Sequence, residues 1–85
     1  MIEDAEQRST KYLDTTTQSL SRIKRSKLPS NVSKDQVDKV MELVRSYTKD
    51  AKHYLEDKKP VTSLACIAYA EGLLDALKFL ELIEF

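Results

Sequence analysis

Turn-forming residues are scarce in this sequence of 85 residues, which contains one glycine and two prolines. A β-rich fold needs many glycine and proline turns, so this scarcity favours helices. The single glycine also excludes the glycine-rich loops that bind nucleotide phosphates. A lone cysteine, Cys66, excludes an internal disulfide and is typical of a reducing compartment. The sequence therefore predicts an all-α protein of the cytoplasm.

An excess of charge of either sign is also lacking, because fourteen Lys and Arg balance fourteen Asp and Glu. No overall field therefore draws the chain to nucleic acid or to anionic lipid. With 41% apolar and 33% charged residues, the composition is that of a soluble globular protein. The acidic, polar start of the sequence is unlike a signal peptide. At this length we expect one helical domain over residues 1–85.

The apolar residues that are present are concentrated toward the end of the sequence. They make up 7 of 27 residues over 1–27, 11 of 33 over 28–60 and 17 of 25 over 61–85. Pro29 and Pro60 separate these segments, and each proline biases the residue before it away from helical geometry. The pattern predicts a three-helix bundle, in which a long hairpin is crossed by an N-terminal helix, with helices over about residues 2–25, 34–58 and 61–82.

The second helix has the clearest signals. Ser33 and Gln36 have the spacing of a capping box, in which each side chain binds a backbone amide at the helix start. Apolar residues then recur every three or four positions for five turns, at Val37, Val40, Met41, Val44, Tyr47, Ala51, Tyr54 and Leu55. Lys58 and Lys59 add the positive charge that a helix C-terminus favours. The first helix has a thinner stripe that includes Tyr12, Leu13, Thr16 and Leu20, so it needs a surface supplied by the others.

The third helix is apolar nearly all round. At 100° per residue, we expect one buried face made of Cys66, Tyr69, Leu73, Leu77 and Leu80. A ridge of small residues lies beside it, at Ala65, Ala68, Gly72 and Ala76, and a third side carries Ile67, Ala70 and Leu74. Two neighbouring helices cover two of these faces. The remaining face predicts a partner.

A helix this apolar could alternatively span a membrane. We expect no span, because charged residues follow one another along it, at Glu71, Asp75, Lys78, Glu81 and Glu84. A charge at the centre of a bilayer costs about 2.5–3.5 kcal/mol even on the most lenient scale. Phe79, Leu82, Ile83 and Phe85 are, in turn, more apolar groups than a chain end should expose to water, which is a further partner signal.

Residues that could carry catalysis or bind a metal are few. Cys66 lies among apolar neighbours and His53 lies off the apolar stripe of its helix, so neither has a partner for nucleophilic chemistry. Glu71 and Asp75 share a helix face, and like charges at that spacing repel. We expect a basic group to pair with them, and a small-ligand or metal site there is an alternative. The sequence predicts no enzyme, no cofactor and no metal centre.

A basic run, Arg22, Lys24, Arg25 and Lys27, could contact phosphates. The simpler interpretation is that positive residues are favoured near a helix C-terminus. No aromatic residue interleaves with the run, so nucleic-acid binding there would be non-specific and salt-sensitive. An RNA-associated accessory role therefore stays open as an alternative function.

Two stretches, YTKDAKHYLED at 47–57 and ACIAYAEGLLDA at 65–76, make the chain similar to a small archaeal family, domain of unknown function three-five-seven. YAEGLLDA at 69–76 is the most specific part of the resemblance. The resemblance implies a compact three-helix fold and an archaeal, cytoplasmic setting, and it implies no activity. The matching positions are Tyr47, Asp50, Ala51, Tyr54, Leu55, Tyr69, Gly72, Leu73 and Asp75.

These observations together favour a non-enzymatic helical interaction module. We expect it to self-associate, most simply as a homodimer, or to dock on a larger cytoplasmic partner. The contact surface is predicted on the third helix and the end of the second, at Tyr47, Asp50, Tyr54, Leu55, Tyr69, Glu71, Gly72, Leu73, Asp75 and Phe79.

Overall fold

A computed structural model describes residues 4–85 as three helices that pack against one another. The helices are α1 (Ala5–Arg22), α2 (Lys34–Glu56) and α3 (Pro60–Phe79). Two short strands, β1 (Lys24–Arg25) and β2 (Ile83–Glu84), form an antiparallel ribbon. The predicted all-α, three-helix architecture is confirmed. Sequence analysis did not predict the ribbon.

The hairpin of α2 and α3 forms the main packing surface, and α1 packs against α3 more extensively than against α2. The core lies between the three helices and is closed at one end by the last residues of the chain. Its buried apolar residues are Val37, Met41, Val44, Ala51, Ile67, Ala70, Leu74, Leu77, Leu82 and Ile83. The predicted hairpin with an N-terminal helix packed on it is therefore the observed arrangement.

Helix α1 begins at Ala5 and ends at Arg22, three residues before the predicted end. The Asp4 carboxylate caps it by accepting a hydrogen bond from the Gln7 amide at 2.8 Å. The helix ends at Arg22, because Ile23 is extended and Lys24 then pairs with Glu84 across the ribbon. The predicted end at residue 25 was therefore wrong. Residues 2 and 3 of the predicted helix lie outside the described residues.

Helix α2 begins with the predicted capping box. The Ser33 amide donates to Gln36 Oε1 at 2.9 Å, and the Gln36 amide donates to Ser33 Oγ at 3.1 Å. The helix ends at Glu56, two residues before the predicted end, because Lys58 adopts a left-handed conformation with φ 60°. Pro60 then occupies the first turn of α3, where its missing amide hydrogen is not needed.

The rotation of α3 about its axis differs from the prediction. Its buried residues are Ser63, Ile67, Ala70, Leu74 and Leu77. Leu77 is thus the one buried member of the face predicted from Cys66, Tyr69, Leu73, Leu77 and Leu80. Tyr69 and Leu80 are exposed, while Cys66 and Leu73 are half-buried. A nearly uniform apolar helix does not specify its own rotation, so contacts from α1 and α2 decide it.

One of those contacts is a buried chain of hydroxyl groups. The Ser63 hydroxyl donates to the carbonyl oxygen of Ala51 on α2 at 2.6 Å. Since that proton is used, Ser63 Oγ accepts from the hydroxyl of Ser9 on α1. All three residues are fully buried. A polar group buried without a partner would cost about 1–3 kcal/mol, so this chain fixes which side of α3 faces inward.

Thr16, two turns further along α1, differs from Ser9. It is equally buried, yet its Oγ1 has no hydrogen-bond partner among residues 4–85. Both side chains lie on the inner side of α1, although only Thr16 belongs to the stripe predicted from the sequence. Ser9 meets the hydroxyl of Ser63 on α3, whereas Thr16 meets no hydrogen-bond partner among the described residues.

The end of the chain folds back instead of extending the last helix. Helix α3 ends at Phe79, three residues before the predicted end, and Glu81 reverses the chain with φ 60°. Leu82 and Ile83 are thereby buried, and Phe85 is half-buried. The expectation that all four terminal apolar groups are exposed was therefore wrong for these three. It holds for Phe79.

Candidate docking surface

The solvent-facing side of α3 carries a strip of apolar residues that is bordered by Glu71, Asp75 and the exposed Lys78. We call it the outer face and define it by Val61, Ala65, Ala68, Tyr69, Gly72, Ala76, Phe79 and Leu80, all of which are exposed. The exposed fraction is 80% for Phe79, 72% for Val61, 68% for Leu80 and 51% for Tyr69. Apolar surface in one strip along five turns of a helix is typical of a contact site.

The position of Gly72 shows how open this face is. A Cβ atom added there would meet no heavy atom within 4 Å, and the residue does not have a positive φ. Neither packing within the chain nor backbone conformation therefore requires glycine. A glycine inside a helix nevertheless costs about 1 kcal/mol relative to alanine. No packing contact at Gly72 among the described residues offsets this cost, whereas a second backbone brought close to Gly72 would.

One edge of the outer face lies along α2. The rings of Tyr47 and Tyr69 pack at a tilt, with their centroids 4.6 Å apart. Cys66 lies on the same seam, where burial and, secondarily, the charge of Asp50 raise the pKa of its thiol. A raised pKa keeps the sulfur protonated, and the protonated form is a poor nucleophile. This edge is suited to packing rather than to covalent chemistry.

The predicted positions near the end of α2 lie apart from this surface. Tyr54 and Leu55 are half-buried, and the ring of Tyr54 packs edge-on against that of His53 at 5.5 Å. Leu55 borders a separate cleft with Pro60 at the hairpin turn. The ten residues predicted as one contact surface therefore divide between the outer face, its two edges and the hairpin turn. Val61 and Leu80 belong to the outer face and were missed, because the predicted rotation of α3 was wrong.

The other edge of the outer face carries Glu71 and Asp75. Together with Tyr12 of α1 and with Ala68 and Gly72 of the outer face, they line a cleft of about 250 Å³. Burial and the neighbouring charge of Asp75 raise the pKa of the Glu71 carboxyl. Within residues 4–85, neither carboxylate is in an ion pair, so a basic partner from another subunit stays a prediction. Lys78, the nearest candidate, instead places its Nζ 4.4 Å from the centroid of the Phe85 ring.

Ligand chemistry at this edge has little to support it. In the part of the chain that the structure describes, no three residues of the types that bind metals lie together. Two like carboxylates that share a shallow cleft repel each other unless a cation or a proton comes between them. A small-ligand or metal site at Glu71 and Asp75 stays a prediction.

The basic run does not form one surface. Arg22 ends α1, whereas Lys24 and Arg25 follow in β1, where successive side chains point to opposite faces. Arg25 is already paired, because its guanidinium lies 2.7 Å from Asp38 Oδ1. Lys27 is exposed beyond the strand. Arg22 and Lys24 line one cleft together, whereas Arg25 lines another, and the RNA role stays a prediction.

Helix α3 is long and apolar enough to cross a membrane by length and composition alone, with a mean hydropathy of 1.2 over 18 residues. The core helix of a soluble protein passes the same test. Of the five charged residues weighed against a span, Glu71, Asp75 and Lys78 lie within the helix, while Glu81 and Glu84 follow its end. The absence of a membrane role therefore also stays a prediction.

Comparison with known proteins identifies a family and nothing further. The family model described as "Protein of unknown function (DUF357)" matches residues 11–83, which is most of the chain. No curated protein and no solved structure matches the chain. The stretch that suggested the resemblance, residues 47–76, lies within the matched region.

Proposed function

This chain belongs to the DUF357 family of proteins of unknown function, and we propose that it is a non-enzymatic interaction module that self-associates through the outer face of α3. The observation that carries the proposal is the apolar strip on that face, with Gly72 open at its centre. Burying such a strip against a second apolar surface is favourable by about 25 cal/mol per Å² removed from water.

A second copy of the chain is the occupant that fits this strip. The side chains along it are large at Val61, small at Ala65, Ala68, Gly72 and Ala76, and large again at Phe79. This order of sizes is nearly the same in both directions. An antiparallel pair with a two-fold axis near residue 70 therefore places Phe79 of each copy beside Val61 of the other, with Gly72 opposite Ala68. A two-fold contact requires such a self-complementary patch.

The small residues at the centre support close approach of the two helices. Helices whose contact carries Gly and Ala bring their backbones nearer than the usual 8–10 Å spacing permits. Phe79 and Val61 would then cover the ends of the contact, where bulky side chains have room. Tyr69 and Leu80 extend the apolar strip toward α2, so that the contact is wider than a single row of residues.

The experiment measures mass against concentration by sedimentation equilibrium. We expect the parent chain to approach twice its 9.8 kDa at high concentration. Gly72→Lys places charge and bulk at the centre of the strip, and we expect it to weaken self-association at least tenfold. At dilute concentration, where both proteins are monomers, the variant should melt no lower than the parent, because glycine is unfavourable inside a helix.

Ser46→Lys is the matched control, since it adds the same charge at an exposed position of α2. It should associate as the parent does. A parent chain that stays monomeric at the highest concentration would contradict the proposal, as would a Gly72→Lys variant that still dimerises. Flotation of the parent with phosphatidylcholine–phosphatidylserine vesicles, lost in Gly72→Lys, would identify a membrane as the occupant instead.

The proposal includes the cellular compartment of the protein. The lone Cys66 suits a reducing compartment, and an archaeal, cytoplasmic origin remains part of the proposal. We propose no cofactor and no catalytic residue. The outer face is apolar, and the Cys66 thiol beside it has a raised pKa, which keeps it protonated.

A further inference from the structure

A groove between α1 and α2 has a volume of about 450 Å³. Its floor is apolar and comes from Leu13 and Leu20, two half-buried side chains of α1. Its rim on the α2 side is basic and consists of Arg45, Lys49 and Lys52. No α3 residue lines this groove, so it is separate from the outer face.

The groove exists because α1 lies closer to α3 than to α2. Leu13 and Leu20 pack against the core and remain half-buried where they line the groove. On the opposite wall, spacings of four and three residues bring the three basic side chains onto one face of α2. They therefore form a row about 10 Å long, since seven residues of a helix rise about 10.5 Å.

These positive charges are not neutralised within the described residues. Across residues 4–85, none of Arg45, Lys49 and Lys52 forms an ion pair, and Asp14 is the one acidic residue lining the groove. The polar groups beside them are either exposed or satisfied; the Thr48 hydroxyl, for example, donates to the carbonyl oxygen of Val44 at 2.7 Å. The groove thus combines an apolar floor with a basic rim that forms no ion pair among residues 4–85.

We propose that this groove binds an acidic amphipathic helix of another protein. A helix that places apolar side chains at i, i+3 or i+4, and i+7 spans the distance from Leu13 to Leu20, which is two turns. Acidic side chains beside that stripe would face Arg45, Lys49 and Lys52. Nucleic acid would satisfy the rim alone, because its phosphate backbone gains nothing from an apolar floor. The floor is therefore what favours a peptide.

The experiment titrates the full chain into fluorescein-labelled peptides of 18 residues and follows fluorescence anisotropy. The probe peptide carries Leu on one helical stripe and Glu elsewhere. A second peptide replaces Glu by Lys, a third replaces Leu by Ser, and a 20-nucleotide oligo(U) tests the phosphate alternative. We expect the Leu–Glu peptide to bind, with an affinity that falls between 50 and 300 mM salt as the rim charges are screened.

Charge reversal at the basic rim distinguishes peptide binding in the groove from binding elsewhere on the protein. Arg45→Glu, Lys49→Glu and Lys52→Glu together should weaken binding of the probe peptide roughly thirtyfold at low salt, since each exposed ion pair contributes modestly. Lys49→Glu alone should weaken it about threefold and serves if the triple variant is unstable. The matched control, Lys11→Glu with Lys34→Glu and Lys39→Glu, changes the net charge equally at exposed positions outside the groove and should bind as the parent does.

Three results would overturn the proposal. One is equal binding of the Leu–Glu and Leu–Lys peptides, and another is binding of the Ser–Glu peptide as tight as that of the Leu–Glu peptide. The third is rim-dependent binding of oligo(U) without binding of the Leu–Glu peptide. Because the outer face is unchanged in every groove variant, their self-association by sedimentation should equal that of the parent, whichever way the peptide result falls.

Discussion

The inner and outer faces of α3 have similar hydropathy and opposite surroundings. The inner face buries Ile67, Ala70 and Leu74 against α1 and α2, while the outer face leaves Val61 and Phe79 in water. On α1 and α2, polar residues mark the solvent side, so the sequence pattern indicates their orientation. On α3 no such contrast exists. The comparison shows that neighbouring helices decide which side of an apolar helix is buried. The apolar side that they leave exposed is available for a partner.

The largest expected effect comes from truncating one leucine side chain on each face of α3. Leu74→Ala empties a fully buried site and should lower the free energy of unfolding by about 3 kcal/mol, because lost burial and a cavity add together. Leu80→Ala removes the same atoms from an exposed site and should change it by less than about 0.5 kcal/mol. Urea denaturation at a dilute concentration measures both. Equal losses would mean that the outer face is covered within a single chain.

A smaller effect tests the buried hydroxyl chain of the inner face. Ser63→Ala leaves the Ser9 hydroxyl without an acceptor and the Ala51 carbonyl without its side-chain donor, so we expect a loss of about 1–2 kcal/mol. Thr62→Ala, at the exposed neighbouring position, should cost less than about 0.5 kcal/mol. The double variant Ser9→Ala, Ser63→Ala should lose less free energy of unfolding than the sum of the two single losses. Additive losses would show that the two hydroxyls do not interact.

The smallest effect lies at the boundary between the faces. The pKa of Glu71 is raised above its ordinary value of 4.5 by burial and by Asp75. The folded chain therefore binds this proton more tightly than the unfolded chain, and the stability that results is present below about pH 4.5 and is lost as pH rises through the raised pKa. Glu71→Gln should then stabilise the fold by about 0.5 kcal/mol at pH 7 and by nothing at pH 4.

Thermal melts across that pH range, made in parallel with Asp75→Asn, check the cause. In the Asp75→Asn background the gain from Glu71→Gln should shrink, because one of its two causes has been removed. A gain of the same size at pH 4 and pH 7 would show that the charge of Glu71 is not responsible.

Much of the fold was predictable because local signals agree with the final structure. The capping box at Ser33 and Gln36 starts α2 where the spacing indicates, and Pro60 marks the start of α3. Errors arose where distant residues meet. The ribbon ends α1 early by pairing Lys24 with Glu84, which are sixty residues apart, and no local pattern in two-residue strands reports such a pairing.

The candidate site was predictable in kind rather than in position. An apolar surplus over residues 61–85 correctly indicated that α3 keeps an exposed apolar side, and Gly72 and Phe79 were expected on it. The rotation of α3 was not predictable, so Val61 and Leu80 were missed and Leu73 was placed too centrally. The α1–α2 groove was missed as well, although the spacing of Arg45, Lys49 and Lys52 is visible in the sequence, because its apolar floor comes from another helix.

The amino-acid sequence by itself determined that this chain forms three helices and which residues two of them bury. It also determined that the third helix has more apolar surface than its neighbours can cover. Those properties follow from short-range periodicity, capping and composition. Only the tertiary structure decided which side of α3 is covered and where the chain end is placed. The physical reason is that these choices depend on contacts between residues far apart in sequence, such as Ser9 with Ser63.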